Sequence, residues 1–273
     1  MPAAGTAAMM MMVTITTTMS IDSDRPWRPA HHEGEPGFPD HPVADEPSAG
    51  AGVLPLLVWL SPAFPVGSFA FSHGLEWAAG AGDLRDRAAV EDWIADLLAH
   101  GSIRNDAILL AAAWRAVRAG DGAALAGVNE LALANAGSRE RRMETSAQGN
   151  AFLAAIRSAW AREQIDRLAR ELVGDVAYPV AVALAAASHE LPLTATLEVY
   201  LVGVVTNLVS AAVRLGVIGQ SDGQRVIAAL IARVRESAHE AEQSTIDDLG
   251  GAAFRADLAA LRHETQYTRL FRS

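Results

Sequence analysis

From Val53 onward, polar caps, apolar positions spaced three and four apart, and glycine stops recur along the chain, the pattern of successive amphipathic helices. Asp86 caps a segment whose Val90, Trp93, Ile94, Leu97 and Leu98 form one face, and Gly101 ends it. The next runs from Ser102 through Ile103, Leu109, Leu110 and Trp114 to Gly120. Asp121, Ser138, Thr194 and Ser221 stand as further caps, and Pro179 sits where a first-turn proline is tolerated because its missing N–H had no helical partner. Period-two alternation is nearly absent. The pattern predicts an all-α protein, a compact multi-helix bundle forming a single domain over residues 53–273, with about eight to ten helices at ordinary helix lengths. Abundant alanine and glycine permit close approach of helix axes. Leu197 to Ile218 is apolar enough to raise a membrane span, but Glu198, Asn207 and Arg214 are costly in hydrocarbon, so a central buried helix is predicted and no membrane partner.

Residues 1–52 read differently. From Asp22 to Gly52 the chain is proline, glycine, acid and histidine with little to bury, a composition that predicts a disordered low-complexity leader. The first twenty residues lack a basic start and are interrupted by Thr14, Thr16, Thr17 and Thr18, which argues against an export signal; the methionines at 9–12 and 19 offer later translation starts. His31, His32 and His41 lie in this leader as solvated residues.

Charge narrows the class of partner. The formal net charge is −10, and residues 1–52 contribute half of it, with seven acids against two arginines. The remaining body is mildly acidic and offers no basic footprint for nucleic acid. Every basic side chain is arginine, so a phosphate loop ending in Gly-Lys-Ser or Gly-Lys-Thr is impossible. With no cysteine there is neither a disulfide framework nor a thiolate site, which suits a cytoplasmic protein. No His-Glu-x-x-His helix or Gly-x-Ser-x-Gly elbow occurs. Glu236 and His239 make one i, i+3 pair of the kind that helical di-metal carboxylate enzymes take from two helices, and the second copy is missing. The reading is a protein without catalytic residues, cofactor or preorganised metal site. A helical di-metal enzyme and an unrelated helical interaction scaffold are the alternatives.

Three segments stand apart. Ser61 to Trp77 carries Pro62 and Pro65, which fix an extended path, and Gly67, which frees it; Phe64, Phe69, Phe71 and Trp77 bring apolar area to a turn before a helix that Ser72 is placed to cap, leaving His73 and Glu76 unassigned. Ser138 to Gly149 is a charge-dense patch between apolar helices. The chain closes on Gln266-Tyr267-Thr268-Arg269-Leu270-Phe271-Arg272-Ser273, arginines interleaved with anchors, a composition open to both docking into a partner and packing on its own body.

The run from Leu54 to Trp77 resembles the opening signature of the urease accessory protein UreF family. The resemblance continues through Glu144 to Gly149, Arg214-Leu215-Gly216, Gly219-Gln220 with Gln224, and the Arg-Leu-Phe-Arg-Ser ending, covering residues 53–273 and none of the leader. Ser68, Phe71 and His73 stand where the family often has a second small residue, tyrosine and glutamine. The resemblance implies an all-helical homodimer that binds the accessory protein UreD (also called UreH) and then the GTPase UreG. The assembly would dock on apo-urease, support or gate GTP-dependent nickel insertion, and help form a passage for nickel. Carried onto this chain, it makes Pro65, Gly67, Phe69, Phe71, Ser72, His73 and Glu76, with Arg142, Glu144, Gln148 and Gly149, candidate GTPase-facing or dimer-supporting positions. Tyr267, Arg269, Leu270, Phe271, Arg272 and Ser273 become the candidate plug into UreD, and Gln220 with Gln224 braces of the central dimer region.

Overall fold

Three of the six expected caps act through their side chains. Asp86 accepts from the Ala89 N–H, Asp121 from Ala124 and Ser138 from Arg141, each satisfying one of the amides a helix start leaves unpaired. These starts belong to a computed structural model that describes residues 51–273. Its helices are α1 (Leu54–Trp59), α2 (Leu75–Gly80), α3 (Arg87–His100), α4 (Ser102–Ala119), α5 (Gly122–Ala134), α6 (Arg139–Ala159), α7 (Glu163–Ala169), α8 (Tyr178–Ser188), α9 (Leu193–Arg214), α10 (Gln220–Gln243) and α11 (Phe254–His263). Short 3-10 turns at Ala51–Val53, Ser68–Ala70 and Ile246–Asp248 complete the described residues, which contain no strand. Residues 1–50 of the expected leader, with His31, His32 and His41, lie outside the described residues.

The other three caps are corrected. Helices α2, α9 and α10 start from Gly74, Pro192 and Gly219, so Ser72 lies before the cap of its helix and Thr194 and Ser221 lie inside the first turn, while α4 begins at Ser102 as expected. The Thr194 hydroxyl is engaged elsewhere, donating to Glu242 Oε1 of α10 at 2.8 Å. Extended backbone at Pro192 begins α9 two residues earlier than a cap at Thr194 requires.

Helix α8 lies at the centre, buried from Pro179 to Ser188, and packs on α4 and α6 with α5, α7 and α9 around it. Its alanines keep the helix thin enough for neighbours on every side. With no cap of its own, the start of α8 is held by other helices: Asn150 Oδ1 accepts from the Val176 N–H, Asn129 Oδ1 from Ala177 and Thr145 Oγ1 from Tyr178. Gly149 makes this approach possible, since a Cβ there would stand 2.0 Å from the Val176 carbonyl oxygen. The second layer is the α9–α10 pair, backed by α3 and α4, while α11 covers α2 and touches α6. Trp59 meets Phe152, Trp160 and His189 edge-on and Phe64 leans on Phe152, pinning the chain around α1 to the α6–α8 core.

Helix α9 departs from the wholly buried helix expected. It is long and apolar enough to cross a membrane, yet half of its apolar window is buried inside the fold, and Val199, Val202, Gly203 and Thr206 line a cavity on its other side.

Replacing Gly149 with alanine should force α6 and α8 apart and destabilise by about 3 kcal/mol, as overpacking against rigid backbone does. Urea unfolding followed by circular dichroism measures this, with a fall in Tm of roughly 2–4 °C per kcal/mol.

Candidate functional site

The loop from Ser61 to Gly74 is shaped by left-handed backbone at three positions. Gly67 has φ +70°, and His73 at +55° is followed by Gly74 at +79°. A side chain at 74 would collide with the α11 backbone, 2.6 Å from the Ala260 nitrogen, so loop and helix close on each other there. His73 has a β-carbon in a region L residues seldom occupy, and such strain persists where surrounding contacts over-determine it.

Those contacts begin at Glu76, buried in the first turn of α2. One carboxylate oxygen accepts the Leu270 N–H at 2.6 Å and the other the Phe271 N–H at 2.9 Å, so the C-terminal tail is held by its backbone. The same carboxylate lies 3.2 Å from Nε2 of the fully buried His263, whose Nδ1 stands 2.6 Å from Glu140. Arg269 reaches back to the other Glu140 oxygen at 2.5 Å. Beyond it, the Ser72 N–H and hydroxyl both donate to the Ser273 main-chain oxygen, at 2.8 and 2.5 Å, and the Arg272 N–H donates to the Ala70 carbonyl at 2.8 Å. Ser72 also accepts a long 3.4 Å bond from the Glu76 N–H. Arg214 covers the Phe271 ring at 4.4 Å from its centre and donates to the Phe69 carbonyl; Arg272 lies over Phe71. The tail therefore has two sides. Phe271 (3% exposed) and Ser273 are buried, while Tyr267, Arg269, Leu270 and Arg272 face solvent.

A second carboxylate gathers the remaining groups. Glu144 meets Arg141 at 2.5 Å and His73 Nε2 at 2.7 Å, and accepts from Gln148 at 3.1 Å and from the Ser273 hydroxyl at 2.7 Å. Burial pushes its carboxyl upward, but Arg141, His73 and these hydrogen bonds win and hold it at about 2. Asp106 on α4, 3.7 Å from Arg141, moves the other way, raised by burial against the opposing pull of Arg141 and His73.

This polar group floors a cavity of about 460 Å³ walled by Leu57, Leu60, Val66, Val199 and Val202. A smaller one of about 40 Å³ lies toward α3, α5 and α11. His73, Asp106, Arg141 and Thr145 line both.

Of the candidate positions, Ser72, His73, Glu76, Glu144, Gln148 and the residues from 269 to 273 come together in this network. Phe71 is buried beneath Arg272, and Phe69 is 67% exposed on the loop. Pro65 and Gly67 shape the loop without entering the network. Arg142 points to the Leu133 carbonyl, Gly149 serves the α6–α8 contact, and exposed Gln220 and Gln224 sit at the start of α10 away from the cluster. Glu236 pairs with Arg233 and His239 with Gln243 on the exposed side of α10. Asp106, Glu140, Arg141, Tyr200 and His263 were not singled out individually. One signal was legible: Glu140, Glu144 and Gln148 recur every four residues, which puts them on one helix face.

A family model described as UreF matches residues 84–231. The chain is 57% identical to a urease accessory protein UreF of Xanthobacter autotrophicus over 231 residues, 85% of this chain and 95% of that protein. It is 54% identical to the protein of that description from Rhodopseudomonas palustris strain HaA2 (82% and 94% covered) and 52% identical to that from Methylobacterium radiotolerans (83% and 99%).

Because Glu144 sits at about 2 in the fold against an ordinary 4.5, its contribution is present above pH 4.5 and is lost as pH falls from there toward 2. The shift corresponds to about 3 kcal/mol, of which about 2 kcal/mol should be gone by pH 3. Urea midpoints between pH 6 and pH 3 should show this slope in the parent and a flatter one in Glu144→Gln. Glu76→Gln should loosen the tail, speeding amide exchange of residues 270–273 by about 10–100-fold while the core amides of α8 keep their protection.

Proposed function

The chain belongs to the UreF family of urease accessory proteins, and on that premise we propose that it is a non-enzymatic scaffold joining UreD (also called UreH) and the GTPase UreG on apo-urease. In that assembly it supports or gates GTP-dependent nickel insertion. The observation that carries this reading is the two-sided tail. Its backbone is clamped by Glu76 and its buried side by Phe271 and Ser273, so Tyr267, Arg269, Leu270 and Arg272 are presented on a fixed path. Tyrosine and arginine are among the side chains that dominate binding energy at interfaces, Leu270 adds exposed apolar area beside them, and fixing these groups beforehand reduces the ordering cost of association. The tail is the UreD-facing element in this reading.

A homodimer is supported by a separate surface. Leu54, Leu57 and Val58 on α1 are exposed, as is Phe69, and Leu57 and Phe69 line the large cavity together with the outward side of α9. A second copy seated there would cover the apolar groups and close the cavity mouth. The Pro65 to Glu76 loop, Arg142 to Gln148, and Gln220 with Gln224 remain the proposed GTPase-facing or dimer-bracing positions. A cytoplasmic site of action fits the cysteine-free composition, and the mildly acidic body favours protein partners over nucleic acid or membrane.

Deleting residues 267–273 also removes buried Phe271, so the cleaner test is Tyr267→Ala with Leu270→Ala, which touches only the outward side. Co-expression with UreD and UreG, then size-exclusion chromatography with light scattering, should show the parent forming a complex through UreD that recruits UreG. The double variant should keep its Tm and helical spectrum and bind UreD about tenfold or more weakly, as loss of two anchors does. Unchanged co-purification of both the double variant and the deletion would overturn the tail assignment.

A further inference from the structure

We propose that His73 and Asp106 form an open, two-ligand resting point for a borderline divalent transition-metal cation in the wall between the two cavities. The inference rests on the nickel-delivery reading and names where on this chain the cargo pauses.

The argument begins with the imidazole. Nε2 of His73 lies 2.7 Å from Glu144, whose carboxylate can only accept from it. Nδ1 is buried and has no hydrogen-bond partner, the one buried imidazole nitrogen so placed among the described residues. A proton on Nδ1 would be a buried donor with nothing to receive it, whereas the Nε2–H tautomer leaves an unshared pair there. Histidines that bind metal commonly donate their other ring N–H to a carboxylate, which fixes the ring and makes the free nitrogen a better donor to the metal. Glu144, 2.7 Å from Nε2 and itself fixed by Arg141 at 2.5 Å, is placed to do this for His73. The left-handed backbone at His73 keeps the ring in the wall against its own conformational preference.

Asp106 supplies an oxygen. Asp106 lines both cavities, as does His73, so the two residues stand together in the wall between them. Arg141 faces the same spot, and its positive charge is countered by Glu144 at 2.5 Å and Asp106 at 3.7 Å, leaving two carboxylates against one guanidinium. Thr145, Gln148 and Tyr200 line the large cavity beside them. No three His, Asp or Glu side chains converge to form a cage among the described residues, so water completes the coordination. One imidazole and one carboxylate favour nickel, cobalt or zinc over the hard cations magnesium and calcium, and two protein ligands allow rapid release. That combination suits a cation in passage.

The test uses the full chain with His31, His32 and His41 changed to alanine, so that the leader's histidines cannot bind the probe. Titration with Ni²⁺ should add one site by calorimetry and broaden the amide signals of residues 73, 145 and 148 by paramagnetic relaxation, with Mg²⁺ leaving both readouts flat. His73→Gln keeps a donor to Glu144 and should retain the parent Tm. It should lose the broadening and weaken Ni²⁺ about tenfold or more, with Asp106→Asn weakening it less. Absence of cavity broadening in the parent, or its persistence in His73→Gln, would overturn the proposal. Failure of the parent to assemble with UreD and UreG would instead strike the scaffold reading and leave the Ni²⁺ result standing.

Discussion

The arrangement turns on buried carboxylates that cannot be left unpaired. Glu76, Glu140 and Glu144 are all buried, and stripping the water from an ionised carboxylate costs several kcal/mol unless charge and hydrogen bonds replace it. Most of their partners come from far along the chain: His263 and Arg269 for Glu140, the amides of Leu270 and Phe271 for Glu76, and His73 and the Ser273 hydroxyl for Glu144, which Arg141 joins from one turn away on the same helix. Helix α6, the loop before α2, helix α11 and the tail are therefore bound to one another by the need to satisfy three acids. Removing any one partner exposes a deficit in the others, and so a short tail with few apolar contacts can hold a definite path.

The helical scaffold makes that geometry available. Small residues on α8 let α4 and α6 approach, and Gly149 lets α6 meet the α8 start closely enough for Thr145 to reach the Tyr178 N–H. Because α6 is set against α8 along this face, Glu140, Glu144 and Gln148 project on one line toward the loop and tail. The strain at His73 is sustained by the same fixtures, with Glu144 on one side of the ring and α11 pressed against Gly74 on the other.

Function in this protein is consequently carried by placement more than by reactive groups. The tail turns two anchors, Tyr267 and Leu270, outward from a clamped backbone, and the loop brings an imidazole with an unpartnered nitrogen into the wall between two cavities. A scaffold that must recognise partners and release a cation gains from rigid presentation in the first case and from a sparse ligand set in the second.

Much of this was legible in the linear order of residues. Helical periodicity, Asp86, Asp121 and Ser138 as caps, the absence of lysine and cysteine, and the signature from Leu54 to Trp77 determined an all-helical protein of the UreF kind, because caps, periodicity and motif matches depend on neighbours within a few positions. Ser72, Thr194 and Ser221 looked like caps by the same local rule, and backbone geometry set two residues away overruled them. The tail's composition left docking and self-packing open; the fold divided it, giving Phe271 and Ser273 to the core and Tyr267 and Leu270 to solvent. Asp106, Arg141 and His263 carried no local mark that separated them from ordinary surface charges. Their pairing spans up to 187 positions between Glu76 and His263, and an electrostatic partnership of that reach exists only once packing has removed the water between them.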